Sequence, residues 1–318
     1  MKRLIAALVA AFSLSAALVA KDLTPSMTVL LYPEGQEAAD AKGIMEDGVY
    51  VTLGPGESNG LSGGIKSDAR GRLSNIGSEA CMDIYLPRKC NGEMIVVCPG
   101  GGYSIVSSIN EGINVAKWLI KRNIAVCVVK YRLPNKHHTV PLTDVQNAFR
   151  YCRAHASTWG VKKIGVMGFS AGGHLAASAA TLYTDAATKP DFAVLVYPVI
   201  TMEEGITHKG TCENLTDGNP KLKEHYSIEN RVTSDTPRTL LLLSADDKTV
   251  PPENSIRYFE KMVACKVPVE MHIFTSGGHG YGFASESLFA GKNEKKDKLG
   301  KGQRKDFDQI LERFLLEP

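Results

Sequence analysis

The chain has 318 residues, 43% of them hydrophobic and 22% charged, with a formal net charge of +3. That composition suits a large folded core and lies far from the disordered and collagen-like classes. Setting Lys2 and Arg3 aside leaves 35 basic against 34 acidic residues, a balance that argues against nucleic acid as the main partner.

At the amino terminus, Lys2 and Arg3 precede an apolar run from Leu4 to Ala20 that ends in small residues. This is the pattern of a secretory signal over residues 1–20, with cleavage expected after Ala17 or Ala20. An uncleaved anchor is the competing reading, but the run is at the short limit for a spanning helix and no basic cluster follows it. The expectation is an exported protein, periplasmic or extracellular, with no stable membrane insertion after cleavage.

Residues 21–75 are rich in glycine and polar groups and read as an irregular lead-in with one strand near Thr28 to Leu31. Residues 76–318 read as one domain. From Met82 onward, short apolar runs ("MDIYL", "MIVVC", "IAVCVVKY", "KIGVMG", "FAVLVYPV", "TLLLLSA", "VEMHIF") alternate with helical stretches. Most runs are continuous, as in strands covered on both faces. In "TDVQNAFRYCRAHA", Thr143 and Gln146 have capping-box spacing, and Val145, Ala148, Phe149 and Cys152 share a helical face. The fold class is therefore α/β: a mostly parallel central sheet with helices on both faces. Ligands of such sheets bind beyond the carboxyl ends of the strands.

The seven cysteines are odd in number, and Cys98, Cys127 and Cys152 lie in apolar settings, which argues against a disulfide framework. Cys81 and Cys90 are the pair that an exported protein could oxidise.

Four elements at strand ends carry chemistry. In "MIVVCPGGGYSI", three glycines follow a strand, so main-chain N–H groups of Gly101 and Gly102 can approach a substrate oxygen without obstruction. A phosphate loop is excluded because no Lys-Ser or Lys-Thr pair follows. In "KIGVMGFSAGG", Ser170 stands on a sharp strand-to-helix turn between Gly168 and Gly172, and the Ala171 amide completes the set of oxyanion donors. A simple helix cap is the bland alternative for Ser170. In "LLLLSADDKTVPPENS", Asp246 or Asp247 could orient a histidine, although aspartates also favour such turns. In "IFTSGGHGYGF", His279 occupies a flexible loop after the last strand; the other seven histidines each have an ordinary structural explanation.

The order Ser170, aspartate, His279 matches that of α/β-hydrolases. The segments "CPGGGY", "VKYRLP", "GFSAGGHLAA", "HKGTCENLTDGNP", "SADDKTVPPENS" and "GGHGYG" make the sequence resemble the small esterase branch of that superfamily, similar to hormone-sensitive-lipase-like esterases and to bacterial acetylxylan or feruloyl esterases. The resemblance implies that Asp247, separated by two residues from the Val250–Pro251 pair, is the acid, and that the substrate is an acetyl or similar short acyl ester on plant cell-wall carbohydrate such as xylan. Pro99 stands where many wider relatives have histidine, which leaves the backbone donors but loosens any substrate inference from those enzymes. The polar connection from Met202 to Ser234 lacks the apolar helices of a lipid-binding lid and favours a hydrated substrate. The expected chemistry needs no metal and no cofactor. An amidase or formamidase, a serine peptidase of the same fold, and a non-catalytic binding protein on this scaffold are the rival readings.

Overall fold

The computed structural model describes residues 23–31, 42–45, 49–52, 59–283 and 297–316. The expected signal peptide lies outside them. Among the described residues the central sheet has eight strands: β1 (Met27–Leu30), β2 (Cys81–Tyr85), β3 (Glu93–Cys98), β4 (Ala125–Lys130), β5 (Lys163–Phe169), β6 (Ala193–Val196), β7 (Thr239–Ser244) and β8 (Val269–Phe274). Their order across the sheet is β1-β2-β4-β3-β5-β6-β7-β8. Every neighbouring pair from β4 to β8 is parallel, whereas β2 runs antiparallel to both β1 and β4. The helices are α1 (Asn114–Ile120), α2 (Val140–His155), α3 (Ala171–Thr181), α4 (Lys209–Thr216), α5 (Pro220–Tyr226), α6 (Glu253–Ala264) and α7 (Gly300–Leu316).

The continuous apolar runs of the sequence resolve into two cores, because successive side chains of a strand point to opposite faces. In β3, Met94, Val96 and Cys98 join one core, and Ile95 and Val97 join the other. Phe149 of α2, Leu175 of α3 and Tyr258 of α6 close the first. Trp118 of α1 and Phe307 and Leu311 of α7 close the second. Each fully buried aliphatic or aromatic side chain contributes about 1.5–3 kcal/mol, so the doubly covered strands are the stable platform of the molecule.

Two details differ from the sequence reading. The lead-in is woven into the domain: Met27 to Leu30 pair with Ile84 to Cys81, and Arg72–Ser74 pairs with both Lys66–Ser67 and Val106–Ser107. Strand β1 falls where the sequence places a strand, near Thr28 to Leu31, whereas the strands Lys66–Ser67 and Arg72–Ser74 are too short to show an alternation. Helix α2 begins at Val140 with Pro141 in its first turn, not at a Thr143 capping box. Proline's fixed φ favours the first turn, where its missing N–H is no loss. Thr143 instead bonds back to the Thr139 carbonyl (3.1 Å), and Gln146 donates to the Leu182 carbonyl (3.0 Å).

A buried ion pair fixes α2 against the end of β4. The Arg132 guanidinium donates to Asp144 at 2.7 and 3.0 Å, and the Arg132 main-chain N–H donates to the same carboxylate at 2.7 Å. Both residues are almost wholly buried, at 3% and 0% exposure. All seven cysteines, Cys81 and Cys90 included, are free thiols.

Candidate active site

The crossovers bring the ends of β3, β5, β7 and β8 to one rim of the sheet. At the end of β5, Ser170 is forced to φ 54° and ψ −123°, a conformation costing roughly 1–3 kcal/mol. Its backbone is pinned on every side: its N–H donates to the Val196 carbonyl, and its carbonyl accepts from His174 and Val199, each at 3.1 Å. The turn is tight because α3 presses on the neighbouring strand ends. A Cβ on Gly172 would lie 2.1 Å from the Cys98 carbonyl oxygen and 2.4 Å from that of Pro99.

This elbow raises the Ser170 hydroxyl to the His279 imidazole, with 2.8 Å between Oγ and Nε2. On the other side of the ring, Nδ1 lies 2.7 Å from Asp247 Oδ2. A carboxylate can only accept, so Nδ1 carries the proton and Nε2 is left to accept from the serine. The second oxygen of Asp247 accepts from the Thr249 and Val250 amides, both at 2.9 Å. Burial pushes the Asp247 carboxyl upward, but its hydrogen bond to His279, the nearby imidazole charge and the two amides outweigh that and hold it below the ordinary carboxylate value. Asp246 plays a different part, since its Oδ1 accepts from the Gly278 N–H at 2.8 Å and shapes the loop that carries His279.

The glycine loop after β3 lies beside the serine. Among the described residues, no acceptor engages the main-chain N–H of Gly101, Gly102 or Ala171. Gly101 adopts φ 136°, and a Cβ there would lie 2.2 Å from the Ile105 carbonyl oxygen, so no other residue fits this turn.

Several residues that sequence reasoning passed over hold these loops. Glu111 is buried; its Oε2 accepts from the Gly100 N–H and its Oε1 from the Tyr197 hydroxyl, both at 2.8 Å. The Tyr197 oxygen in turn accepts from the Gly282 N–H in the histidine loop at 3.0 Å, and its ring lies 4.8 Å from that of His279. Burial raises the Glu111 carboxyl above its ordinary value, with the Tyr197 and Gly100 hydrogen bonds opposing it. Tyr103, at the end of the glycine loop, meets His174 Nδ1 on α3 at 2.9 Å. His174 Nε2 lies 2.9 Å from the Tyr226 carbonyl and must donate to it, so Nδ1 accepts from the tyrosine. Burial depresses His174 to about 4, so the ring stays neutral.

Beside the glycine loop opens a cleft of about 510 Å³ whose wall mixes polar side chains with the apolar surface of Ile105 and the glycines. His208, which in the sequence is only one member of a polar connection, is part of its wall, as is Asn214, whose amide donates to the Gly102 carbonyl at 2.8 Å. Among the described residues, no group of three or more His, Cys, Asp or Glu is placed to hold a metal ion.

Comparison with known proteins follows the same lines. The BD-FAE family profile matches residues 82–206. The acetylxylan esterase of Xylanibacter ruminicola is 40% identical over 221 residues, which is 67% of this chain and 46% of that protein. A Butyrivibrio fibrisolvens protein named endo-1,4-beta-xylanase B is 32% identical over 217 residues, 63% of this chain and 34% of its own length. The chain thus spans less than half the length of these two curated relatives. Among solved structures, the acetyl ester-xyloside bifunctional hydrolase of Caldicellulosiruptor lactoaceticus is similar with a TM-score of 0.62 and 31% identity, over 74% of this chain and 87% of that one. A carboxylesterase of Lactobacillus plantarum is similar in fold, with a TM-score of 0.65 at 22% identity over 80% of this chain and 98% of that one.

Proposed function

The chain belongs to the esterase branch of the α/β-hydrolase superfamily, and from that membership we propose that it is an exported serine carboxylesterase removing short acyl groups, acetyl foremost, from plant cell-wall carbohydrate such as xylan. The observation that carries the catalytic part is the unbroken line of hydrogen bonds from Ser170 through His279 to Asp247. The substrate part is supported by the names of the relatives, one an acetylxylan esterase and one an acetyl ester-xyloside hydrolase. Export is supported by the apolar run behind Lys2 and Arg3.

In the proposed reaction, Ser170 Oγ attacks the ester carbonyl carbon while its proton passes to His279 Nε2. The negative charge that develops on the carbonyl oxygen is met by the amides of Gly101, Gly102 and Ala171, which no acceptor among the described residues engages. As the C–O bond to the alcohol breaks, His279 returns the proton to the departing oxygen. Water then repeats the sequence on the acyl-serine, releasing the acid and restoring the hydroxyl. Asp247 keeps Nδ1 protonated throughout and stabilises the transient imidazolium.

The test is a hydrolysis panel of acetylated xylan, feruloylated oligosaccharide, aryl esters of increasing acyl length and aryl amides, run on the wild type and on Ser170→Ala. Acetyl esters should dominate for the wild type, and the variant should lose turnover by about 10⁴-fold or more while keeping its fold. Unchanged turnover in Ser170→Ala would remove the serine assignment, and preference for amides would remove the esterase reading.

A further inference from the structure

We propose that the cleft beside the glycine loop is a subsite for the sugar ring on the alcohol side of the ester, with the His208 imidazole as its fixed hydrogen-bond donor. The proposal rests on the esterase reading above and goes beyond it by naming where the carbohydrate sits and which side chain grips it.

The first observation is the chemistry of the wall. Lys66, the Asp68–Arg72 ion pair, Ser104, His208 and Asn214 surround a space of about 510 Å³, large enough for a monosaccharide unit with its attached water. These groups offer both donors and acceptors for an array of hydroxyls, and Ile105 with the glycines supplies apolar surface for the face of a sugar ring. The cleft adjoins Gly101 and Gly102, so a sugar held there has its ester oxygen near the free amides.

The second observation is the state of His208. Its Nδ1 accepts from the Thr211 main-chain N–H at 3.2 Å and lies 2.8 Å from the Thr211 hydroxyl. A backbone amide can only donate, so Nδ1 has no proton and the neutral ring carries its proton on Nε2. Among the described residues, that Nε2 has no acceptor. The ring edge also faces the glycine loop, since a Cβ on Gly102 would lie 3.5 Å from His208 Cε1. Partial burial, and then the nearby His279 charge, keep the imidazole below its ordinary value despite the opposing pull of Asp247, so it remains a neutral donor. His208 therefore lines the cleft with one ring N–H left over for a ligand, while its other ring nitrogen caps α4.

His208 is also the N-cap of α4, and the test must separate the two roles. His208→Ser retains a capping oxygen for the Thr211 amide but lacks the reach into the cleft, whereas His208→Ala loses both. The quantity to measure is the ratio of kcat/KM for acetylated xylo-oligosaccharide to kcat/KM for an aryl acetate, whose alcohol half has no sugar. Both variants should lower that ratio about tenfold, chiefly through KM for the oligosaccharide. A wild-type ratio in His208→Ser shows that the residue is only a cap and overturns the proposal. An equal loss on both substrates also overturns it, because His208 would then act on the reacting centre. A wild type that cleaves aryl acetate but ignores the oligosaccharide overturns the proposal together with the carbohydrate reading, and that outcome is visible before any variant is made.

Discussion

A buried histidine that stays neutral makes stability depend on acidity. His174 titrates near 4 in the folded chain against an ordinary value of 6.5, because burial penalises its charged form. Between those values the unfolded chain takes up a proton that the folded chain does not, so stability falls as pH drops from 6.5 toward 4 and is insensitive to this group above 6.5. The full shift corresponds to about 3 kcal/mol. Urea unfolding of the wild type and His174→Gln at about pH 7 and about pH 4.5 should show a steeper acid loss in the wild type; parallel losses would mean that His174 titrates normally. Residues such as this one are hard to read from sequence. Ser170 and His279 stand out because each sits in a short motif at a strand end, and local spacing is what a sequence displays; that spacing leaves Asp246 and Asp247 open, and the family resemblance chooses Asp247. Tyr103 and His174 are 71 positions apart, and Glu111 and Tyr197 are 86 apart. Their pairing exists only after the sheet has brought distant loops together, and His208 likewise gains its meaning from Gly102, which no spacing rule connects to it.

Helix α3 packs closely against the end of β3 and the start of the glycine loop. Gly172 allows the helix to lie directly on the carbonyls of Cys98 and Pro99, and an added methyl has only backbone to displace. Gly172→Ala should therefore destabilise the fold by about 1–3 kcal/mol, lowering Tm by several degrees, and should reduce kcat on aryl acetate by shifting the donor amides. Calorimetry and steady-state kinetics on one preparation check both parts; an unchanged Tm would show that the helix can slide away without cost. The strands and the long helices are readable because doubly covered strands leave continuous apolar runs and helices leave a 3.6-residue period. The start of α2 is not, because Val140 and Pro141 open the helix upstream of a more conspicuous Thr and Gln pattern.

The domain's sheet depends on its lead-in. Strand β1 covers the outer edge of β2, with Ser26 and Leu31 adding bonds to Ile84 and Ala80 at either end, and Thr28 donating to Asp83 at 2.8 Å. Deleting residues 1–31 would leave β2 as an open edge able to pair with other chains. The truncated protein should lose roughly 5 °C or more in Tm and show higher oligomers by light scattering; a monodisperse, equally stable product would show that β1 is dispensable. The overall architecture is legible from the alternation of runs and helices, but the antiparallel turn of the sheet at β2 is not, since a strand's direction leaves no mark in its own composition.

One buried carboxylate, that of Glu111, accepts from the loop after β3 directly and from the loop after β8 by way of the Tyr197 hydroxyl. The glycine loop proposed to receive the oxyanion and the loop bearing His279 are thus hung from a single peg. A change that unseats Glu111 removes a tether from both loops at once, however far it lies from the serine.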